Sequence, residues 1–449
     1  MKKLLLLSAL TFLLAGARAQ FVPQSLTFPG TGYYTMYNDA VDSNTVWVGV
    51  DYIPNHVGYS AYSNAIKTSD GGNTWLFFPI PDTGTVIMSN VCAWNANTCY
   101  YVDFNGNGNI WKTENGGLLW TMKTTTQFEG SWANFYHAVS ADTGVAVGDP
   151  NGGYWDICLT NDGGNTWSRV PSSNIPANYV GEYGTASAYS AVGNYIWFAT
   201  NKGRCYRSTN KGLNWTVKQV ASAGANYNVC FVDSLRGVFW EPAPVFKKKA
   251  SSYNIYYVTT DGGLTWNQQS LATRYSLQDF SRVPGINGGL VISAFENGGY
   301  TSSAVLYTPD FFNTLTLIQS GLSSDGGIDF YNNRSGWLSG DGNYNTSIYK
   351  FTGLLPVGIQ ETLTGKLQLQ VIPNPSSAEA IIKVPSSLMG SGSMLRILDI
   401  TGKEMELRRI PPSTPYIQLD AGKYSNGIYF IQMTSDGGAS AVCRWTVCH

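Results

Sequence analysis

Six acidic residues stand at the ends of short apolar stretches, and their recurrence is the first sign of chemistry in this chain. Asp51 closes Val46 to Val50, Asp103 closes Tyr100 to Val102, and Asp149 follows Val145 to Val147. Glu241, Glu296 and Asp341 follow Val238 to Trp240, Leu290 to Phe295 and Trp337 to Ser339 in the same way, and only Thr200, after Ile196 to Ala199, breaks the series. Carboxylates brought to one rim could hold a cation or a hydroxyl-rich ligand, and a facing pair could hydrolyse a glycosidic bond. The competing role is structural, because Asp and Asn before Gly shape turns. Aromatic residues accompany the acids: Tyr52, His56, Tyr59 and Tyr62 after Asp51, then Phe128, Glu129, Trp132 and Tyr136, then Tyr154, Trp155 and Asp156. Rings beside carboxylates suit a carbohydrate, whose C–H face stacks while its hydroxyls donate to acids, and they also suit a peptide or protein. The loops Asp51 to Ala65 and Glu241 to Asn254, the second with Phe246, Lys247-Lys248-Lys249 and Tyr253, are longer than a turn requires. Excess loop length is where binding sites concentrate. His56 and His137 show neither metal-ligand spacing nor a nucleophile partner, so no metal, cofactor or serine-type triad is expected.

The elements that would position these residues are announced by a repeated motif. Thr68-Ser69-Asp70-Gly71-Gly72-Asn73-Thr74-Trp75 recurs from Thr160 to Trp167 and from Thr259 to Trp266, and in weaker form from Thr113 to Trp120 and from Ser208 to Trp215. Its key positions are Asp70, Asn115, Asp162, Asn210 and Asp261, closed by Trp75, Trp120, Trp167, Trp215 and Trp266. A spacing of 45 to 51 residues between tryptophans is the length of a four-stranded unit that must stack on its neighbours. The hydroxyl and the Asp or Asn can accept amide hydrogen bonds within a tight loop, the Gly pair supplies positive φ, and the Trp plugs the hairpin onto the sheet.

This motif resembles the Asp-box, or bacterial neuraminidase, repeat of sialidases, xyloglucanase-type glycosidases, sortilin-type receptors and photosystem II assembly-factor propellers. The resemblance spans residues 21 to 353 and implies a β-propeller, but those families include enzymes, receptors and assembly factors. Seven strand pairs are countable, so the expected fold is all-β: a seven-bladed β-propeller over 20–353. The sixth motif is degraded to Thr308 to Leu315, and the seventh unit stops at Tyr349 to Phe351. Phe21 to Phe28 read as the outer strand that completes it and closes the ring. The Arg-Ile-Pro-type motif of a sialidase is missing. A binding module for a glycan or protein is therefore the leading expectation, and a secreted glycosidase using face carboxylates the alternative.

Both ends read as addresses. Lys2 and Lys3, Leu4 to Leu14 and Ala17-Arg18-Ala19 compose a signal peptide over 1–19. Beyond a linker at 354–365, residues 366–449 alternate apolar and polar positions as a small β-sandwich does. Its Pro373-Asn374-Pro375, Leu395 to Lys403 and Asn426 to Ile431 segments resemble the type A sorting domain of the Bacteroidetes type IX secretion system. That resemblance implies the secretion machinery as partner, and release into the medium or display at the cell surface. It departs at the end, where Cys443 to His449 replaces a basic strand.

A net charge of −1 with 13% charged residues offers no footprint for nucleic acid. No apolar run after the leader is long enough to span a bilayer, and a monomer is expected. Of seven cysteines, Cys92 and Cys99 flank Asn95-Ala96-Asn97 and are positioned to bridge a hairpin. Cys158 and Cys205 could link consecutive blades, whereas Cys443 and Cys448 lie too far apart in one extended strand.

Overall fold

The computed structural model describes residues 20–449 except 54–61, 82–86, 105–107, 125, 244–253, 273, 297–301, 324–326, 341–346, 357–368, 386–387, 390–391, 401–402 and 436–439. The leader, His56, Tyr59, the three lysines, Asp341 and most of the expected linker lie outside the described residues. The chain divides into two compact units, 1–358 and 359–449.

In the first unit, alternating apolar residues and glycine-rich turns give seven four-stranded antiparallel sheets among the described residues. The first sheet runs in chain order through Tyr33–Ala40, Val46–Tyr52, Tyr62–Thr68 and Leu76–Pro79, and the next five repeat that order. The inner strands are Tyr33–Ala40, Ile87–Ala93, Ala133–Ala138, Gly184–Val192, Asn228–Phe231, Tyr275–Arg282 and Ile328–Asn332. Each packs on the next and the last on the first, which closes a ring.

Closure is completed by the N-terminal strand. Phe21–Pro23 pairs antiparallel with Ile348–Phe351, Phe21 opposite Phe351, as the fourth strand of the seventh sheet. Phe21 is 1% exposed and packs on Phe351 and Phe330 at 5.3 and 6.3 Å between ring centres. Leu355 joins the same core and Pro356 O accepts from Tyr307 Oη, so the packed unit extends past residue 353.

The repeated turns act between sheets as well as within them. Thr68 Oγ1 accepts from Gly72 N at 2.9 Å, while the Asp70 carboxylate accepts from Thr74 N at 2.9 Å and Thr74 Oγ1 at 2.6 Å. Asp162 does the same with Thr166, and these bonds hold both carboxyls down at about 2. Each turn then braces a neighbour. Lys350 of the seventh sheet donates to Gly71 O at 2.6 Å, and Lys67 of the first donates to Gly116 O at 2.9 Å. Trp75 meets Trp337, and Trp120 meets Trp47, edge to face across adjacent sheets. In the degraded sixth copy, Phe311 and Phe312 occupy positive φ where the other copies use Gly, apart from Lys211 in the fourth, a conformation side chains resist. The stack of Phe312 on Tyr256 at 4.7 Å offsets that strain.

The expected Cys92–Cys99 bridge is contradicted by register. Cys92 pairs with Tyr100 and Cys99 with Ala93, so the two side chains point to opposite faces and enter different cores. Cys158 and Cys205 also sit in different cores.

The second unit holds a three-stranded sheet, Gln370–Ile372, Glu379–Lys383 and Tyr416–Asp420. A four-stranded sheet in the order Glu404–Ile410, Ser393–Asp399, Gly427–Ser435, Ser440–Val447 shares one core with it, including Ile382, Leu395, Ile397, Ile431 and Trp445.

Two outcomes are expected. Phe21→Ala removes a ring from a fully buried site and should lower unfolding free energy by about 3 kcal/mol in denaturant titration; an unchanged midpoint would show that closure does not run through this strand. Brief iodoacetamide labelling of the native protein should modify Cys448, which is exposed, and spare buried Cys92, Cys99, Cys158, Cys205 and Cys230 until denaturant is added.

Candidate functional site

The seven inner strands surround a cavity of about 600 Å³. One equivalent residue from each lines it: Asp39, Cys92, His137, Ser190, Cys230, Ser281 and Asp329. Each pairs with the matching position of its second strand, for example Asp39 with Trp47, Ser190 with Trp197 and Asp329 with Trp337. An inner strand bonds its sheet along one edge only, leaving amides on the other edge to be satisfied. Side chains of the preceding sheet do this. Asp39 accepts from Ala93 N at 2.7 Å, Cys92 from Ala138 N, Ser190 from Phe231 N at 2.8 Å, Ser281 from Phe330 N at 3.0 Å and Asp329 from Ala40 N at 2.8 Å. A second level repeats the device, with Asn90 accepting from Tyr136 N and Asp279 from Ile328 N.

Two cavity-lining side chains stand apart. The His137 imidazole and the Arg282 guanidinium make no hydrogen bond to described residues; His137 only packs beside Tyr189 at 5.8 Å. Burial, with the charge of Arg282, lowers His137 to about 4, so the ring is neutral at physiological pH. Burial and the charge of Asp329 push Asp39 up to about 7, and burial raises Asp329 as well. Burial lifts the Cys92 and Cys230 thiols to about 12, which removes them as nucleophiles near neutral pH. The site therefore offers a guanidinium, a neutral imidazole and two reluctant carboxylates. No group of three or more His, Cys, Asp or Glu is placed to hold a metal among the described residues.

Sequence reasoning looked to the ends of the second strands instead. Asp51 is buried and bonds Ser63 Oγ at 2.9 Å, and Asp103 is buried and accepts from Trp111 Nε1 at 3.0 Å. Asp149, raised by burial, bonds Asn134 Nδ2 at 2.9 Å and Gly184 N at 2.8 Å. Glu296 accepts from Ser302 Oγ and Gly321 N. Glu241 is half-buried. Trp155 is a core residue against Phe198 and Tyr206. Burial and internal bonding remove Asp51, Asp103 and Trp155 from the ligand-contacting set. Of the predicted aromatics, Tyr52 is half-buried against Tyr33, while Trp132 is 42% exposed and rests on Phe104 at 4.8 Å.

Where Thr200 broke the acidic series, the preceding connector supplies the acid. Glu182, buried, accepts from Thr200 Oγ1 at 2.6 Å and pairs with Arg204 at 2.7 Å. The cavity residues were legible only as equivalent positions on successive inner strands, a signal that asks for the register of all seven sheets.

Residues 370–446 match the family described as Secretion system C-terminal sorting domain. That match indicates a secreted or cell-surface protein exported by the type IX system. Among the described residues, no helix is long and apolar enough to cross a membrane. A solved structure of YCF48 bound to D1 peptide is similar in fold, with 15% identity, a TM-score of 0.53, and coverage of 75% of this chain and 96% of that one. The extracellular domain of BT4673 from B. thetaiotaomicron is more distant, with 10% identity, a TM-score of 0.44, and coverage of 96% of this chain and 59% of that one. No curated protein matches the chain.

Asp39 gives the site a pH signature. Because its folded pKa is raised, its contribution to stability is fully present below about 3.8 and lost as pH rises through about 7. Buried neutral His137, lowered from 6.5 to about 4, contributes the opposite slope over nearly the same range, so the readout is a difference between two proteins. Asp39→Asn should gain stability relative to wild type from pH 4 to pH 7 and keep a constant advantage above that in thermal unfolding; a pH-independent difference would contradict the assignment.

Proposed function

We propose that this chain is an exported seven-bladed β-propeller of the Asp-box type, followed by a β-sandwich sorting domain, and that it binds a small polar ligand in its central cavity without transforming it. The observation that carries this reading is the pair of unbonded side chains, His137 and Arg282, lining the same cavity as Asp39 and Asp329. A volume of about 600 Å³ lies within the range of small-molecule sites. A guanidinium recognises a carboxylate in two-point fashion. Two buried carboxylates that resist ionisation regain stability beside an ammonium group. A zwitterion such as a free amino acid or short peptide matches both, with neutral His137 left to donate or accept one further hydrogen bond.

The glycosidase alternative has less support, since Asp51, Asp103, Asp149 and Glu296 are each engaged in holding backbone or neighbouring side chains. The peptide named with the YCF48 structure belongs to that protein; a likeness of 15% identity carries the fold and not the ligand.

Calorimetric titration of the mature chain with amino acids, dipeptides and neutral sugars tests the reading. Binding of zwitterions should weaken at least tenfold, about 1.4 kcal/mol, in Arg282→Met. Absence of binding across the panel, or affinity unchanged in the variant, would contradict it. Turnover of sialosides or β-glucans would move the protein to the enzyme class.

A further inference from the structure

The outward face of the four-stranded sheet in the second unit mixes large apolar side chains with arginines. Alternation sends Leu395, Ile397, Ile431, Met433 and Trp445 into the core. The intervening positions, which face away, hold Met394, Arg396 and Leu398 on one central strand and Ile428, Phe430, Gln432 and Thr434 on the other. Register sets Arg409 opposite Met394 and Leu407 opposite Arg396, and places Phe430 between Leu398 and Arg444. Three arginines thus cross the face diagonally among apolar side chains, of which Leu407, Ile428 and Val442 are 49%, 39% and 38% exposed, and neutral polar ones such as Gln432, Thr434 and Thr446. The Arg444 side chain has no partner among the described residues. Arg396 meets Glu404 only at 3.5 Å, with both side chains about half exposed, a contact worth little in water.

We propose that this face is the docking surface through which the export machinery reads the sorting domain, and that its partner is a protein surface with carboxylates set among apolar side chains. The proposal rests on the sorting assignment of residues 370–446. Arginine with interleaved aliphatic and aromatic side chains is the composition of interface cores, because the planar guanidinium sheds water readily and bonds carboxylates bidentately. A lipid surface fits less well. Residues 359–449 carry eight Lys and Arg against seven Asp and Glu, too balanced for attraction to an anionic membrane, which draws dense basic clusters.

The test compares full-length variants in cells of the producing bacterium. Arg396→Glu/Arg444→Glu should lower the surface and medium fraction at least tenfold, while thermal unfolding of the purified protein stays within about 2 °C of wild type, as expected for exposed charges. Lys383→Glu, an exposed charge on the three-stranded sheet, serves as control and should export normally. Normal export of the double variant, or equal loss in the control, overturns the docking face. Deletion of residues 366–449 separates the two levels: if the truncated chain is exported, the sorting assignment itself fails. Binding of the wild-type chain to anionic vesicles that is lost in the double variant would also overturn the proposal, in favour of a lipid partner.

Discussion

The unsatisfied inner edge of each sheet is the constraint on which the first unit depends. Seven sheets packed side by side each leave a row of amides at the strand nearest the axis, and a buried amide without a partner costs about 1–3 kcal/mol. The chain meets this with side chains of the preceding sheet, so Asp39, Cys92, Ser190, Ser281 and Asp329 each reach forward to the next inner strand. The bond from Asp329 to Ala40 joins the last sheet to the first, and the pairing of Phe21–Pro23 with Ile348–Phe351 completes the outer part of the same junction. No sheet can be removed without leaving its neighbour's edge open.

That solution shapes the cavity. Residues recruited to hold backbone must be short or acidic and must sit beside the axis, which concentrates carboxylates and hydroxyls in a space shielded from bulk water. Burial then penalises the charged forms, raising Asp39 and Asp329 and lowering His137. His137 occupies a stitching position without making the bond, and Arg282 belongs to the strand that carries Ser281 and Asp279. These departures from the repeated structural device are the groups left available for a ligand. Asp51, Asp103, Asp149 and Glu296, by contrast, are consumed by local bonds, and Glu182 is brought in where the second strand ends in Thr200.

The repeat and the closing strand were readable in the sequence because they depend on local chemistry: a hydroxyl, an Asp or Asn and a Gly pair fold their own turn, and Phe21 carries the pattern of an outer strand. The roles of Asp51 and Asp103 were harder to read, since a carboxylate after an apolar stretch looks alike whether it meets solvent or a neighbour's hydroxyl or indole. Cys92 and Cys99 misled for a related reason. Proximity in a hairpin says little until register is known, and a shift of one residue sends the two thiols to opposite faces. The cavity was the least legible part, because it is assembled from one position on each of seven strands spread from residue 39 to residue 329.

Amide hydrogen exchange at single-residue resolution tests the stitching most directly. The amides of Ala40, Ala93, Phe231 and Phe330, which lie on strand edges that face no other strand, should exchange only through global unfolding, as slowly as amides inside the sheet ladders. Exchange of these amides at the rate of the turn residues, with ladder amides still protected, would show that the side-chain bonds do not hold the ring together.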